Sequence, residues 1–252
     1  MKKIFTGVFL TLCLFSCKKD IDSTSGTEVK VKKEFDIQLW EKLSPNGGEL
    51  QMIVNSIDSQ ACADTRLDYY VSIIDTKVTV TLKSFTIPTN CTGPKAKTSD
   101  TLLLGRLQNG VYKLSINLKD AVLNNGSLTV TNGLYIADLQ SEHGFKMDAK
   151  QLTRIPANTI WGYINYDVAS TQRANLFVDS LKAISQPTYL TNGQYGHFTV
   201  SNEVLTLPVN VSKTFFFRYE GTDEKLEKLM QYFRFNNTTL NMKVFSQTGK
   251  QY

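Results

Sequence analysis

The stretch "QNGVYKLSINL", residues 108–118, has the clearest strand pattern in the chain. Its large apolar side chains alternate with polar ones, as they do in an extended strand with one buried face. The face that we predict to be buried holds Tyr112, Leu114, Ile116 and Leu118. Asn109-Gly110 just before it is a dipeptide typical of tight turns between antiparallel strands. The stretch therefore predicts a half-buried strand that begins after a turn.

The same alternation recurs earlier in the chain. Large apolar side chains occupy every second position in three further stretches, residues 35–39, 50–54 and 78–82. Turn-forming residues stand at Pro45-Asn46-Gly47-Gly48, Asn125-Gly126 and Asn132-Gly133. Short strands joined by such turns favour a β-sandwich. We therefore interpret residues 34–140 as an immunoglobulin-like β-sandwich domain.

The second half of the chain mixes helix and strand patterns. Residues 160–166 alternate as a strand, and apolar residues from Ala174 to Ile184 recur at helical spacing. Thr222 is a good N-cap for a second helix, and residues 240–245 form a last strand. The order strand–helix–strands–helix–strand resembles the ferredoxin-like plan with an extra hairpin. We interpret residues 141–252 as an α+β domain of this order.

The N-terminus has the pattern of a secretory signal. Lys2 and Lys3 precede an apolar run that is shorter than the roughly 20 residues that a membrane-spanning helix needs. The run ends in Leu14-Phe15-Ser16-Cys17, which resembles the lipobox of bacterial lipoproteins. The resemblance implies that residues 1–16 are a signal peptide and that Cys17 carries lipid chains such as palmitate. The alternative is an ordinary secretion signal with an incidental cysteine.

Residues 17–33 are mostly polar, and we interpret them as a tether. Two or more lipid chains anchor a protein stably, so the predicted partner at this end is a membrane. Lys18, rather than an aspartate, follows the cysteine, and the resemblance then implies the outer membrane. The charged segment 18–22 is similar to the export tether of Bacteroidota lipoproteins, which favours the cell surface over the periplasmic face.

Two of the four cysteines remain to be explained after the signal and the lipid site, namely Cys62 and Cys91. Outside the inner membrane the environment is oxidising, so the pair predicts one disulfide bond. The alternative is a metal site, but neither cysteine has a second cysteine or a histidine at ligand spacing.

The composition argues against several functions. The net charge of +5 is small and no basic cluster is interleaved with aromatic residues, so nucleic acid is not a predicted partner. No catalytic motif occurs, and we predict neither an enzyme nor a cofactor. The two histidines, His143 and His197, could hold a metal or haem together, although a solvated linker residue is the favoured interpretation of His143.

The candidate binding residues are aromatic. Trp161 and Tyr163 share one face of their predicted strand, and His197 lies beside Tyr195 and Phe198 in the sequence. An exposed aromatic pair can stack against the apolar C–H face of a sugar ring. Packing in the core is the ordinary role of such side chains.

We therefore expect a non-catalytic, lipid-anchored envelope protein that binds a ligand or partner. The resemblance to Bacteroidota lipoproteins implies an accessory role beside an outer-membrane nutrient transporter, often in glycan capture. One alternative is an envelope hydrolase, which needs a polar cleft joining residues such as His197, Asp167 and Glu220. Another is a fimbrial or adhesive subunit, which needs a removable N-terminal strand.

Replacement of Cys17 tests the lipobox. Because Cys17 is the predicted lipid attachment point, Cys17→Ala should abolish incorporation of labelled palmitate and release the protein from the membrane fraction. Cys13→Ala is the matched control, since Cys13 lies in the predicted signal and its loss should leave labelling unchanged. A Cys17→Ala protein that is still labelled and membrane-bound would contradict the lipobox assignment.

Overall fold

Two β-sheets form the first half of the chain. The computed structural model describes residues 31–237 and 239–252, and Val31–Tyr252 belong to one unit. Residues 1–30, including Cys17 and most of the proposed tether, lie outside the described residues. The strands of the first half are β1 (Phe35–Lys42), β2 (Glu49–Ser56), β3 (Arg66–Ile74), β4 (Lys77–Thr86), β5 (Ser99–Gly105), β6 (Gly110–Leu118), β7 (Val122–Val130), β8 (Leu134–Leu139), β9 (Phe145–Lys146) and β10 (Gln151–Thr153).

These strands divide into a four-stranded and a six-stranded sheet. The smaller sheet has the order β5-β2-β1-β9, and the larger has the order β10-β8-β7-β6-β4-β3. Most neighbours are antiparallel, but β1 with β9 and β4 with β6 run parallel. The strands predicted from residues 35–39, 50–54, 78–82 and 111–118 all form. The prediction of a β-rich fold is therefore confirmed.

One apolar core lies between the two sheets. The predicted face of β6 is buried, with Leu114 and Ile116 at most 1 % exposed. The same cluster includes Ile37 and Met52 from the four-stranded sheet and Val80 from the six-stranded one. The period-two alternation identified the inner face correctly because only one side of each strand meets the other sheet.

The turn predicted at Asn125-Gly126 is wrong, because both residues lie inside β7. Gly126 pairs with Leu139 of β8, and a Cβ at Gly126 would lie 2.0 Å from the carbonyl oxygen of Asp138. Glycine is thus required for close approach of the neighbouring backbone rather than for a turn. The chain actually reverses at Lys119 and Asp120, whose φ angles of 51° and 52° suit a tight hairpin.

Among the described residues, the second half contains two α-helices, a one-turn 3₁₀-helix at Val168–Ser170 and two small sheets. Its elements are β11 (Thr159–Asn165), α1 (Thr171–Ile184), β12 (Gly193–Gln194), β13 (Thr199–Ser201), β14 (Val204–Thr206), β15 (Lys213–Arg218), α2 (Asp223–Asn236) and β16 (Asn241–Ser246). One sheet has the order β15-β11-β16, and the other has the order β12-β13-β14. Both predicted helices are therefore confirmed. Neither described helix is both long and apolar enough to cross a membrane.

The helices cover one face of the sheet β15-β11-β16. Phe177 of α1 and Met230 of α2 are buried in the same cluster as Ile160 and Ile164 of β11. Thr222 caps α2 as predicted, because its side chain accepts a hydrogen bond from the backbone N–H of Lys225. The opposite face of this sheet carries Trp161, which is part of a separate cluster of buried apolar side chains.

The segment after residue 140 contributes to both sheets of the first half. Phe145 of β9 pairs with Phe35 of β1, and Leu152 of β10 pairs with Tyr135 of β8. The two sheets therefore include strands from the part of the chain that we assigned to the α+β domain. The division into domains 34–140 and 141–252 stays a prediction.

The disulfide bond between Cys62 and Cys91 is confirmed, with 5.7 Å between the two Cα atoms. Cys62 lies before β3 and is 1 % exposed, whereas Cys91 lies between β4 and β5. The bond therefore joins the two connections that flank the β3–β4 hairpin.

Loss of this bond should destabilise the fold. The two cysteines are 29 residues apart, and closing a loop of that length restricts the unfolded chain by about 3–4 kcal/mol. Urea unfolding of a Cys62→Ser/Cys91→Ser variant should show a loss of this size. Reductant should shift wild type toward the variant and leave the variant unchanged. Equal stability of the two proteins would contradict a stabilising bond.

Candidate functional site

The face of the sheet β15-β11-β16 that does not contact the helices carries aromatic side chains on neighbouring strands. Trp161 of β11 lies opposite Phe245 of β16, and Tyr163 lies opposite Lys243 in the same register. Alternation along β11 sends Ile160 toward the helices and these side chains to the other side. Trp161 and Tyr163 thus share a face, as the sequence pattern indicates.

Trp161 is buried on this face, since only 2 % of it is exposed. Its ring centroid lies 5.2 Å from that of Phe198, 5.9 Å from that of Phe245 and 6.0 Å from that of His197. It therefore packs in the core and is not an exposed stacking ring. Tyr163 and Phe245 are only half-buried, so they present ring surface beside it.

His197 lies between the two halves of the described chain. Its Nε2 is 2.9 Å from the carbonyl oxygen of Glu41, and its ring centroid is 4.6 Å from that of Trp40. Burial lowers the pKa of His197 below its ordinary value, against the opposing effect of Glu41. A carbonyl oxygen can only accept, so the neutral ring donates its Nε2 proton to Glu41.

Trp40 was not among the predicted site residues. The alternation of β1 buries Phe35, Ile37 and Leu39, which leaves Trp40 on the other face of the strand. A tryptophan on the face that the pattern assigns to polar residues was the available signal. Its ring packs over Gly196, where a Cβ would lie 3.2 Å from Cε3 of Trp40.

Glu41 was also missed, although it occupies an inward position of β1 and is 2 % exposed. Its Oε1 accepts hydrogen bonds from the hydroxyl of Tyr135 at 2.9 Å and from Nε of Arg154 at 3.0 Å. The Arg154 guanidinium lies 4.9 Å from the Tyr135 ring centroid. Burial, together with the charge of Glu41, raises the pKa of Tyr135, so its hydroxyl stays protonated and donates. The available signal for this network was a glutamate at the next position of the series Phe35, Ile37 and Leu39, where the alternation predicts an apolar side chain.

Two cavities adjoin the His197 ring, and we call them together the aromatic site. Trp161, His197 and Phe245 line both cavities. The first, of about 260 Å³, is completed by Tyr163, Leu207, Pro208, Val209 and Lys243. The second, of about 290 Å³, is completed by Trp40, Lys42, Leu43, Ser246, Gly249, Lys250 and Gln251. The three sequence-predicted candidates Trp161, Tyr163 and His197 therefore meet at one cavity, where Trp161 is buried and the other two are half-buried.

The charged side chains of the aromatic site are lysines. Among the described residues, no aspartate or glutamate lines either cavity. Lys250 is paired with Asp223, and Lys42 lies 3.8 Å from a carboxylate oxygen of Glu49. Lys243 has no ion-pair partner within residues 31–237 and 239–252. The site therefore has a positive electrostatic character, with Lys243 as its unneutralised charge.

The other residues considered for chemistry have separate partners. His143 is exposed, and its backbone N–H donates to Asn124, whereas His197 donates to Glu41. Asp167 accepts from the backbone N–H of Ser170, and Glu220 pairs with an arginine at 2.6 Å. In the part of the chain that the structure describes, no three histidine, cysteine, aspartate or glutamate residues are grouped to hold a metal ion.

No protein-family model matches the chain, and neither does a curated protein or a solved structure.

The pH dependence of stability should include a contribution from His197. The unfolded chain binds a proton at histidine near pH 6.5, whereas folded His197 has a lowered pKa and resists protonation. Stability should therefore fall as the pH decreases below about 6.5. His197→Gln retains an N–H for Glu41 but does not titrate, so its melting temperature should fall less between pH 7.5 and pH 5.

The matched control for this measurement is His143→Gln, which removes the other histidine of the chain at an exposed position. It should show the same pH dependence as wild type. Parallel melting-temperature curves for wild type and His197→Gln would contradict a neutral, proton-resisting His197.

Proposed function

We propose that the protein is a non-catalytic, lipid-anchored envelope protein that binds a glycan at the aromatic site, as an accessory to an outer-membrane nutrient transporter. One observation carries the proposal, namely that the half-buried rings of Trp40, Tyr163 and Phe245 line two cavities that share the His197 ring. Partly exposed aromatic rings give an apolar platform for the C–H face of a sugar. The polar lining of Lys243, Ser246 and Gln251 offers hydrogen bonds to its hydroxyls.

The dimensions and rigidity of the site support a binding role. Each cavity is close to the lower end of the roughly 300–1,000 Å³ found for ligand pockets. Trp161 and Phe198 pack beneath the half-buried rings, and the hydrogen bond from His197 to Glu41 holds one wall. A surface that is formed before the ligand arrives loses less conformational entropy on binding.

The chemistry of the lining supports a non-catalytic role. General acid–base catalysis uses titratable groups whose environments separate their pKa values, commonly a pair of carboxyl groups. The described lining offers lysines and His197, whose Nε2 proton is engaged by the carbonyl oxygen of Glu41. The carboxylate of Glu41 is itself held by Tyr135 and Arg154.

The finer fold assignments belong to the same proposal. Two sheets around one core support the immunoglobulin-like sandwich for the first half. The element order of the second half supports the ferredoxin-like plan. In a split βαβ unit an antiparallel strand lies between the two parallel ones, so the antiparallel pairing of β11 with both β15 and β16 also supports this plan.

The proposed location follows from the N-terminal pattern. Lipid on Cys17 would hold the protein on the outer membrane, and residues 17–33 would space the fold from the lipid surface. β1 begins at Phe35, directly after this tether, and it carries Trp40 of the aromatic site. Display on the cell surface would give the site access to external glycans.

Tryptophan fluorescence can test glycan binding directly. Both tryptophans of the chain, Trp40 and Trp161, contact His197, so a change in emission reports on the aromatic site. The purified lipoprotein in detergent should be titrated with laminarin, xylan, polygalacturonate and carrageenan oligosaccharides. At least one should shift the emission, and Trp40→Ala should weaken its binding about tenfold by calorimetry, roughly one lost aromatic contact.

Phe235→Ala is the control, because Phe235 is an aromatic residue of α2 that is 87 % exposed and lies outside the aromatic site. It should bind as wild type does. The proposal fails if none of these saccharides binds, or if Trp40→Ala and Phe235→Ala bind as tightly as wild type.

A further inference from the structure

We propose that the aromatic site selects an anionic sugar and that Lys243 is the residue that recognises its negative charge. This inference rests on the proposed glycan-binding function and specifies the class of saccharide. It follows from the charges, register and exposure of the side chains around Tyr163 and Phe245.

The charge of the lining is the first observation. Lys42, Lys243 and Lys250 line the two cavities, and no described acidic side chain does. The hydroxyls of a neutral sugar need both hydrogen-bond donors and hydrogen-bond acceptors, which a lining that contains both kinds of polar group supplies. A lining with several cations and no described anion instead complements a ligand that carries negative charge.

The ion pairs single out Lys243. Asp223 already neutralises Lys250, whose pKa is raised chiefly by the hydrogen bond to that carboxylate. Lys42 lies beside Glu49. Lys243 has no carboxylate within ion-pair distance among the described residues, so its ammonium is the one available to a ligand.

The strand register places this charge next to the stacking rings. Lys243 lies directly opposite Tyr163, and Phe245 lies two positions along the same strand. Two residues of a strand span about 6.6 Å, which is comparable to the reach of a lysine side chain. A pyranose ring stacked on Tyr163 or Phe245 would therefore place a ring substituent within reach of the Lys243 ammonium.

The partial burial of the site strengthens this attraction. Lys243 is half-buried, and the apolar side chains of Leu207 and Phe245 lie around the same cavity. Charges attract each other more strongly where solvent is partly excluded than on an open surface. A carboxylate of a uronic acid and a sulfate ester both satisfy the geometry, so the shared chemistry is an anionic group on a pyranose ring.

Matched saccharides separate charge from sugar identity. Polygalacturonate oligosaccharides are compared with their methyl esters, which have the same backbone without the charge. Carrageenan oligosaccharides, which are sulfated, are compared with the same oligosaccharides after chemical desulfation. Affinity is measured by calorimetry on the purified lipoprotein in 20 mM and 500 mM NaCl. We expect at least one anionic member to bind tenfold or more tightly than its neutral partner, with the difference shrinking at high salt. The saccharide pair that shows this difference in affinity tells whether the recognised group is a carboxylate or a sulfate.

Variants of Lys243 assign the selectivity to this residue. Lys243→Gln should lower the affinity for the anionic saccharide about tenfold and leave the neutral partner unchanged, while Lys243→Arg should retain most of the preference. Lys83→Gln is the matched control, because Lys83 is an exposed strand lysine without an ion pair in the described residues and makes the same change in net charge.

The outcomes distinguish this inference from the proposed function. Equal binding of anionic and neutral partners, or an unchanged preference in Lys243→Gln, would overturn the inference and leave glycan binding intact. Binding by laminarin or xylan alone would overturn the inference and leave glycan binding intact, whereas binding by none of the saccharides named here or above would overturn both. Circular dichroism spectra of each variant confirm that the fold is retained.

Discussion

The arrangement of the site depends on the hydrogen bonds that the buried residue Glu41 accepts. A carboxylate that is 2 % exposed needs hydrogen-bond donors in place of water, and Tyr135 and Arg154 both donate to its Oε1. Removing one partner of such a buried group typically costs about 3–5 kcal/mol. The carbonyl oxygen of the same residue accepts the proton of His197. Glu41 therefore connects the end of β1 with the strand β8, with residue 154 and with the loop that carries His197.

The same residue determines what its neighbours can be. A Cβ at Gly48 would lie 2.1 Å from Oε1 of Glu41, so a larger residue at this position would displace the carboxylate from its two donors. Trp40 precedes Glu41 in β1 and is thereby held with its ring against His197. The hydrogen-bonded Glu41 thus positions a tryptophan from one half of the chain at a cavity that is otherwise lined by the second half.

The sheet β15-β11-β16 has two apolar faces, and they are covered differently. Helices α1 and α2 cover one face, where Ile160 and Ile164 are buried. Tyr195, Phe198 and residues of the β12–β14 sheet pack with Trp161 on the other. This second layer is small, so Tyr163, Lys243 and Phe245 at its margin are only half-buried. The aromatic site is the place where the second layer ends, which explains why it combines rigid packing with accessible ring surface.

The sequence by itself determined part of the strands, both α-helices and the disulfide bond. Period-two alternation identified β1, β2, β4 and β6 and the buried side of β6, helical spacing identified α1 and α2, and counting the cysteines identified the Cys62–Cys91 bond. The strand and helix patterns depend on residues that are close in the chain. The disulfide bond follows because the other two cysteines are assigned to the signal and to the lipid. Trp161 and Tyr163 were placed on one strand face for the same reason.

Tertiary structure alone decided which of these faces meet. The Asn125-Gly126 pair has the local signature of a turn, yet the close backbone of β8 makes it part of a strand. His197 and Glu41 are separated by 156 residues, and Arg154 and Glu41 by 113. No local pattern encodes contacts at such separations, because they arise only when complete sheets pack against one another. The exposure of each ring, and with it the aromatic site, was therefore decided by packing.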